Sequence, residues 1–190
     1  MTTRFVVAVM TAMLIGPAFS APVNYTMDPG NSIPSFEVRH LGFTTQRGRF
    51  NKVDGKITLD MAAHSGHVEL TIYTGSLDMG SASWTAHLSD EGLFNVKNYP
   101  TMTFKSDHLI FDRENRVVAA EGSLTMIGVS KPTRVTVADF KCGVNPLNQK
   151  ALCAGDVSAR IKRSEFGLTK YLGAVSDEVK IDVPVEAYKD

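Results

Sequence analysis

The stretch Ser32–Phe43, SIPSFEVRHLGF, alternates apolar and polar side chains as a β-strand does. Because successive side chains of a strand point to opposite faces, Phe36, Val38 and His40 share one face, and the residues between them, from Ser35 onward, share the other. The same one-sided pattern recurs in at least five later segments. A chain of such strands must curl its apolar face around a core or around a ligand, and we favour a ligand.

The alternating segments predict an all-β fold. About eight antiparallel strands at short, regular spacing are typical of a barrel or a sandwich. A closed barrel is favoured because it leaves no apolar strand exposed at a sheet edge. With about eight strands, its interior is either filled by side chains or wide enough for one slender ligand.

Turn signals separate several of these strands. Asp54-Gly55 predicts a tight hairpin turn, and the segment Gly128–Pro132 predicts another turn. Pro184 falls on the polar face of the last strand, where a bulge or a free edge would tolerate its missing N–H.

The segment 80–98 breaks the strand pattern. Trp84, His87 and Leu88 have the i, i+3, i+4 spacing of one helical face. We therefore expect one short helix that begins at a capping serine, Ser81 or Ser83, and ends at Gly92.

The composition limits the classes of function. The chain has 190 residues, which fits one domain plus a processing segment, and its formal net charge is zero with a pI near 7. Its basic residues are scattered, so the electrostatic footprint of a nucleic-acid-binding protein is missing. We expect no nucleic-acid partner.

The N-terminus predicts a secretory signal in residues 1–20. Arg4 precedes an uncharged run from Phe5 to Ile15, and Gly16-Pro17 stands before the small residues of a cleavage site after Ser20. A retained membrane anchor is the alternative, but the run is shorter than the roughly 20 residues that span a bilayer. We expect an exported domain of residues 21–190 that is not an integral membrane protein.

Cys142 and Cys153 are the two cysteines of the chain, with Gly143, Asn145 and Pro146 between them. In an oxidising compartment such a pair predicts a disulfide that closes a β-hairpin loop. The alternative, a metal site, would need further Cys or His ligands nearby, and none are close in sequence.

A set of short sequence pieces, taken together, resembles the YceI-like family. In chain order the pieces are Phe36–Phe43 (FEVRHLGF), Gly48–Phe50, Gly55, His87-Leu88, Leu93–Val96, Tyr99-Pro100, Phe104–Ser106, Gly122–Thr125, Gly128–Pro132 and Phe166-Gly167. Each piece is unspecific, but their order and spacing match the family from about Asn24 to Glu186.

The resemblance implies an eight-stranded antiparallel, lipocalin-like barrel with one short helix between strands, located in the bacterial periplasm. It also implies that the barrel interior holds a long isoprenoid or another chain-like amphiphile. One position departs from the family pattern: Trp84-Thr85 stands where many members carry an Arg-Asp pair. Because of this departure, the family's contacts with the ligand head group are not expected to apply fully to this chain. The expectation that the barrel interior binds the ligand tail is unaffected.

The residues expected to line the pocket are apolar, aromatic or histidine side chains. They are Phe36, Val38, His40, Phe43, Phe50, Trp84, His87, Leu88, Phe94, Phe104 and Phe166. Phenylalanines in this set could instead fill a packed core. His40 could equally be a hydrogen-bonded structural residue, and the helix carrying Trp84 and His87 could simply pack on the barrel.

Other polar groups give weaker signals. Lys162 and Arg163 could meet an anionic head group at the barrel mouth, or they could be ordinary surface charges. His64 and His67 have the i, i+3 spacing of some metal ligands but lie in a predicted loop without other ligands, so we expect no metal. The sequence also lacks the common hydrolase, phosphate-loop and dinucleotide motifs, so we expect no catalytic residues.

The sequence therefore predicts a non-enzymatic periplasmic carrier that needs no cofactor and binds an amphiphilic lipid such as a quinone or a polyprenyl phosphate. An enzyme or sensor acting on the same lipids, with His40 and His87 as acid and base, is one alternative. A packed structural module without a ligand is another. The oligomeric state is left open, a homodimer included.

Overall fold

The computed structural model describes residues 21–190, so the signal segment predicted for residues 1–20 lies outside the described residues. Within this range the chain forms eleven β-strands, one α-helix and two short 3₁₀ helices. The strands are β1 (Val23–Met27), β2 (Ser35–His40), β3 (Thr44–Phe50), β4 (Val53–Asp60), β5 (Ser65–Tyr73), β6 (Leu77–Asp78), β7 (Thr101–Phe111), β8 (Val117–Met126), β9 (Val129–Val144), β10 (Ala151–Lys162) and β11 (Glu178–Lys189). The helix α1 spans Ala82–Ser89, and the 3₁₀ helices span Thr74–Ser76 and Arg163–Phe166.

Eight strands close into a ring. Their order is β1-β4-β5-β7-β8-β9-β10-β11, and β11 pairs back with β1. Every pairing in the ring is antiparallel. The predicted eight-stranded antiparallel barrel is therefore confirmed.

The remaining strands form a branch from the ring. The edge of β11 that faces β1 is shared: Ala187–Lys189 of β11 pairs with β1, and Lys180–Asp182 pairs with β2. From β2 the sheet continues to β3 and the two-residue strand β6. The alternating segment Ser35–His40 thus lies in the branch and not in the ring.

Pro184 lies between the two paired parts of this edge. The Ser32 hydroxyl accepts a hydrogen bond from the Glu186 N–H (3.1 Å) and lies 3.3 Å from the Glu186 carbonyl, so the backbone groups of Glu186 face the shared edge. In a strand, residues two positions apart direct their backbone N–H and C=O groups to the same side, so those of position 184 point the same way as those of Glu186. The ring nitrogen of Pro184 therefore faces the gap between β1 and β2, where no ladder hydrogen bond is lost, as the sequence predicted for a free edge.

The predicted hairpin turn at Asp54-Gly55 is wrong. Both residues lie inside β4, where Gly55 pairs with Leu70 of β5. A Cβ atom on Gly55 would lie 2.1 Å from the sulfur of Met27, so a larger residue here would force the Met27 side chain to move. The chain turns before β4, at Asn51 and Lys52.

Two hairpins turn through pairs that end in glycine. Leu41-Gly42 joins β2 to β3 with φ angles of 52° and 74°, and Ile127-Gly128 joins β8 to β9 with φ angles of 47° and 74°. These positive angles are those of the type I′ turn, which matches the twist of the strands. The turn predicted over Gly128–Pro132 is therefore shorter than expected, because β9 already begins at Val129.

The predicted helix is confirmed as α1. Ser81 stands at its N-cap with an extended backbone, and the helix ends at Ser89, before the predicted end at Gly92. Trp84, His87 and Leu88 all lie on this helix. The Thr85 hydroxyl accepts a hydrogen bond from the Met79 backbone N–H (3.1 Å), which ties α1 to the preceding segment.

The predicted disulfide is present between Cys142 and Cys153. The two cysteines face each other on β9 and β10, with their Cα atoms 4.0 Å apart. The bond therefore closes the hairpin formed by these strands.

The outer face of the ring carries ion pairs across neighbouring strands. Glu121 of β8 accepts a hydrogen bond from Arg134 of β9 and lies 3.1 Å from the His108 imidazole of β7. Both contacts lower the pKa of the Glu121 carboxyl below its usual range, and the hydrogen bond from Arg134 has the larger effect. The ring is thus apolar inside and charged outside.

Candidate functional site

The ring encloses an apolar cavity of about 290 Å³. This volume lies near the lower end of the roughly 300 to 1,000 Å³ usual for small-molecule sites. Its walls carry aliphatic and aromatic side chains from the ring strands, from β2 and β3, and from α1. On β10 the lining runs from Cys153 to Ile161, a length of about 26 Å at the rise of a strand.

Most of the residues predicted to line a pocket do line this cavity. They are Phe36, Val38, His40, Phe50, Trp84, His87, Leu88, Phe94 and Phe104. In particular, the inward face assigned to β2 is correct, because Phe36, Val38 and His40 all contribute to the wall.

Two predicted lining residues do not contribute to the wall. Phe43 is 86% exposed, because it follows the Leu41-Gly42 turn and stands outside the alternation of β2 and β3. Phe166 is 2% exposed but lies in the 3₁₀ helix after β10, where it packs into the core without lining the cavity. Both predictions of a pocket-lining position were wrong.

Three phenylalanines form a cluster on the β2–β3 side of the cavity. The ring centroids lie 5.7 Å apart for Phe36 and Phe50, 5.9 Å for Phe36 and Phe94, and 5.5 Å for Phe50 and Phe94. The pairs with Phe94 are edge-to-face, an arrangement that aromatic quadrupoles favour. The cluster gives this part of the wall a fixed shape.

The cavity reaches the protein surface beside α1. His40, Trp84, His87, Tyr171 and Val175 line both the cavity and a surface depression. We call this region the open end. The His40 and Trp84 rings meet edge-to-face at 5.8 Å, and the His87 and Tyr171 rings lie 5.7 Å apart.

Both histidines of the open end have free polar atoms. Among residues 21–190, neither the His40 nor the His87 imidazole has a hydrogen-bonding partner, although each packs against an aromatic ring. An imidazole can donate one hydrogen bond and accept another. The arrangement can therefore bind a polar group at the open end while the tail of the same molecule lies in the apolar cavity.

The loop 167–177, which completes the open end, was not predicted from the sequence. Arg163 holds this loop in place. Its guanidinium is buried and donates four hydrogen bonds to backbone carbonyls. The acceptors are Leu168, Lys170, Val175 and Ser176, at 2.6 to 3.0 Å. Burial lowers the pKa of Arg163, and Asp177 partly offsets this effect.

Arg163 therefore has a structural role that differs from the head-group contact considered above. Its hydrogen bonds point to carbonyls of the loop, and Lys162 is exposed and does not line the cavity. Part of Arg163 still lines the cavity, and the loop adds Lys170 and Tyr171 to the wall.

Asp177 anchors the far end of the same loop. Its carboxylate accepts hydrogen bonds from the backbone N–H (2.9 Å) and the hydroxyl (2.8 Å) of Ser164. These bonds are the main reason that the pKa of Asp177 lies below its usual range. The loop also joins β2, because the Leu41 N–H donates to the Ala174 carbonyl at 2.6 Å.

The two histidines considered as metal ligands have separate partners. The His64 ring stacks on Phe111 with a centroid distance of 5.2 Å, while Nδ1 of His67 lies 2.5 Å from Asp107. No group of three or more metal-ligating side chains is found in the described part of the chain.

Comparisons with known proteins agree on one family. The model of the YceI-like domain matches residues 25–187. A UPF0312 protein of Shewanella denitrificans is 32% identical over 193 residues, covering all of both chains. A UPF0312 protein of Vibrio cholerae is 32% identical over 188 residues, covering 96% of this chain and 97% of the relative.

Solved structures give the same fold. Burkholderia cenocepacia BcnA matches with a TM-score of 0.73 and 25% identity, covering 84% of this chain and 98% of BcnA. A polyisoprenoid binding domain from Saccharophagus degradans matches with a TM-score of 0.64 and 16% identity, covering 88% of this chain and 99% of that domain. Separately, none of the helices within residues 21–190 has the length and apolar character to cross a membrane.

Proposed function

The chain belongs to the YceI-like family, and from this premise we propose that it is a carrier or storage protein that holds one amphiphilic lipid in its barrel. The lipid class is a long-chain isoprenoid, such as a quinone or a polyprenyl phosphate, or a fatty-acid-like amphiphile. The activity is binding and not catalysis, so no cofactor is needed.

The observation that carries the proposal is the shape of the cavity. It extends about 26 Å along β10, is apolar along its walls and is continuous with the surface beside α1. A hydrocarbon tail gains about 0.8 kcal/mol for each methylene that leaves water. The polyisoprenoid binding domain from Saccharophagus degradans has the same fold, which supports this class of ligand.

The polar end of the lipid would lie at the open end. His40 and His87 offer unpaired imidazoles there, and Lys170 lines the same part of the wall. These groups can hydrogen-bond a quinone oxygen or a phosphate. A few such groups select the head, while the buried tail supplies most of the affinity.

We further propose that the chain is exported to the periplasm after cleavage behind Ser20. The Cys142–Cys153 disulfide supports an oxidising compartment. Intact mass measurement of protein from a periplasmic extract tests this proposal. A mass that includes residues 1–20 would contradict it.

The binding proposal is tested by blocking the cavity. Ala159 lies on the cavity wall, three residues before the end of β10, and replacing it with tryptophan fills space that a tail would occupy. Ala138 on β9 is exposed and serves as a matched control for the same substitution on the outer face. The wild type and the two variants are loaded with a polyprenyl phosphate or a quinone and compared by native mass spectrometry.

We expect the lipid mass in the wild type and in Ala138→Trp, and its loss in Ala159→Trp. The Trp84 side chain provides a second readout, since it is the one tryptophan of the wild-type chain and lies at the open end. Its fluorescence should change on loading of the wild type. Equal lipid retention by a correctly folded Ala159→Trp, or no loading of the wild type with any of these lipids, would overturn the proposal.

A further inference from the structure

The open end is surrounded by exposed apolar side chains. The large apolar or aromatic side chains that stand exposed here, by 41% to 86%, are those of Leu41, Phe43, Trp84, Tyr171 and Leu172. We call these five residues the rim. Single exposed apolar residues are common on protein surfaces, but a contiguous patch indicates an interaction site.

Backbone and ring contacts join the three segments that carry the rim. The Leu41 N–H donates to the Ala174 carbonyl at 2.6 Å, which ties the β2–β3 turn to the loop 167–177. The Trp84 ring meets the ring of His40 at 5.8 Å, which ties α1 to β2. The rim is therefore one surface, and the cavity opens within it.

The backbone of the rim is strained at two positions. Leu41 and Tyr171 have φ angles of 52° and 62°, in the left-handed region that disfavours large side chains. Ile127 occupies the equivalent position of the other Gly-ended turn, but its side chain packs against the core. Leu41 has no such compensation, since its side chain is 56% exposed. Strain of this kind persists at functional sites.

Two cations stand beside the rim without a carboxylate partner. Lys170 Nζ lies 5.1 Å from the centre of the Tyr171 ring. Arg39 donates to the Gly42 carbonyl at 2.7 Å and to the Thr45 hydroxyl at 3.1 Å. Neither takes part in the ion pairs formed among residues 21–190. Their charge is complementary to lipid phosphate groups.

We infer that the rim docks the open end of the barrel onto the surface of a phospholipid bilayer. Tryptophan and tyrosine favour the membrane interface, where one side of the ring is apolar and the other is hydrated. Phe43, Leu41 and Leu172 would enter the acyl region, and Arg39 and Lys170 would lie at the level of the phosphates. A lipid tail could then move between bilayer and cavity along an apolar surface.

The purpose of this docking rests on the proposed lipid-carrier function, but docking itself is measured separately. The probe is large vesicles of mixed phosphatidylethanolamine and phosphatidylglycerol. Co-sedimentation gives the partition coefficient, and Trp84 fluorescence reports insertion of the rim.

The variant Phe43→Ser/Leu172→Ser removes two rim side chains. Leu147→Ser is the matched control, because Leu147 is 93% exposed and lies in the β9–β10 loop, at the other end of β10. We expect the partition coefficient of the double variant to fall about tenfold or more, and that of the control to remain unchanged. Wild-type Trp84 emission should shift to shorter wavelength on vesicle binding.

Leu41→Asn separates docking from folding. Asparagine tolerates the left-handed conformation of this turn, so the variant should be at least as stable as the wild type. It should nevertheless bind vesicles several-fold more weakly. Loss of stability together with unchanged vesicle binding would contradict both parts of this expectation.

Several outcomes would overturn the docking inference. One is a wild type that does not bind these vesicles; another is an equal loss of binding in Leu147→Ser. A concentration-dependent dimer in analytical ultracentrifugation, abolished by Phe43→Ser/Leu172→Ser, would assign the rim to a second copy of the chain. Lipid loading from detergent is measured in parallel, so that a failure of docking is distinguished from a failure of the carrier function.

Discussion

The two ends of β10 are held by different kinds of interaction. At its Lys162 end, the loop 167–177 is fixed by hydrogen bonds from Arg163 and to Asp177. At its Ala151 end, the Cys142–Cys153 disulfide joins β10 to β9. Hydrogen bonds can open in local fluctuations, whereas a disulfide cannot. The open end is therefore the one whose contacts can break in such fluctuations.

The largest expected effect on stability comes from breaking the Arg163 network. Arg163→Met leaves four loop carbonyls without their donor, which should lower the free energy of unfolding by about 3 to 5 kcal/mol. Urea denaturation measures this change. Arg160→Met is the matched control. Arg160 lies three residues earlier, on β10, and forms an exposed ion pair with Glu178, so its replacement should cost at most about 1 kcal/mol.

An equal effect of these two substitutions would mean that the buried guanidinium does not hold the loop. Arg163→Lys sharpens the test further. A lysine ammonium cannot reproduce the planar fork that reaches four carbonyls, so this variant should remain destabilised.

The next largest effect is expected at the other end of β10. Replacing Cys142 and Cys153 together by alanine should lower the free energy of unfolding by about 3 kcal/mol, mainly because the unfolded chain gains freedom. Thermal and urea unfolding of the folded variant measure this loss. Lipid loading at saturating concentration should be retained, since the open end is intact and alanine at position 153 keeps the cavity wall apolar. A variant that is stable but no longer binds lipid would contradict this division between the ends.

The smallest effect is a pH dependence at Asp177. The folded state lowers the pKa of this carboxyl, so its hydrogen bonds contribute stability above the unfolded pKa of about 3.9 and lose this contribution as the pH falls through the folded pKa. Asp177→Asn should therefore lower the melting temperature by a few degrees at neutral pH. The difference from the wild type should shrink below about pH 4.

Glu165→Gln is the control for this pH dependence, because it removes the same charge from an exposed neighbour in the adjacent 3₁₀ helix. Its melting curve should follow that of the wild type at every pH. A gap between Asp177→Asn and the wild type that stays constant down to pH 3 would exclude the carboxylate as the source.

The ring was predictable because its strands carry a local signal. Alternation along β5 and β11 follows directly from burial on one face, and it gives both the strand class and the inward residues. The branch was not predictable, because the pairing of β2 with only three residues of β11 is a long-range property. The turn at Asp54-Gly55 was misassigned because the glycine at position 55 makes room for the side chain of Met27, a residue distant in sequence, and does not form a turn.

The candidate site was predictable on its strands and not on its loops. The face of β2 that carries Phe36 and His40 was identified from alternation alone, and both residues line the cavity. Phe43 was misplaced because a turn ends that alternation. No local sequence pattern identified Tyr171 or the role of Arg163. In a sequence, a buried arginine that binds loop carbonyls cannot be distinguished from an arginine on the surface.

The shared edge of β11 has two separate structural roles, closing the barrel and attaching the β2–β3 hairpin. Closure of the barrel depends on β1, whereas the β2–β3 hairpin attaches to the same strand a few residues away, beyond Pro184. Changes in the length or composition of this hairpin need not alter the register of the eight-stranded ring. Exchanging the hairpin between homologous barrels would therefore change the β2–β3 part of the cavity wall while the pairing of the eight ring strands is kept, provided that the core residues Phe36 and Phe50 are kept.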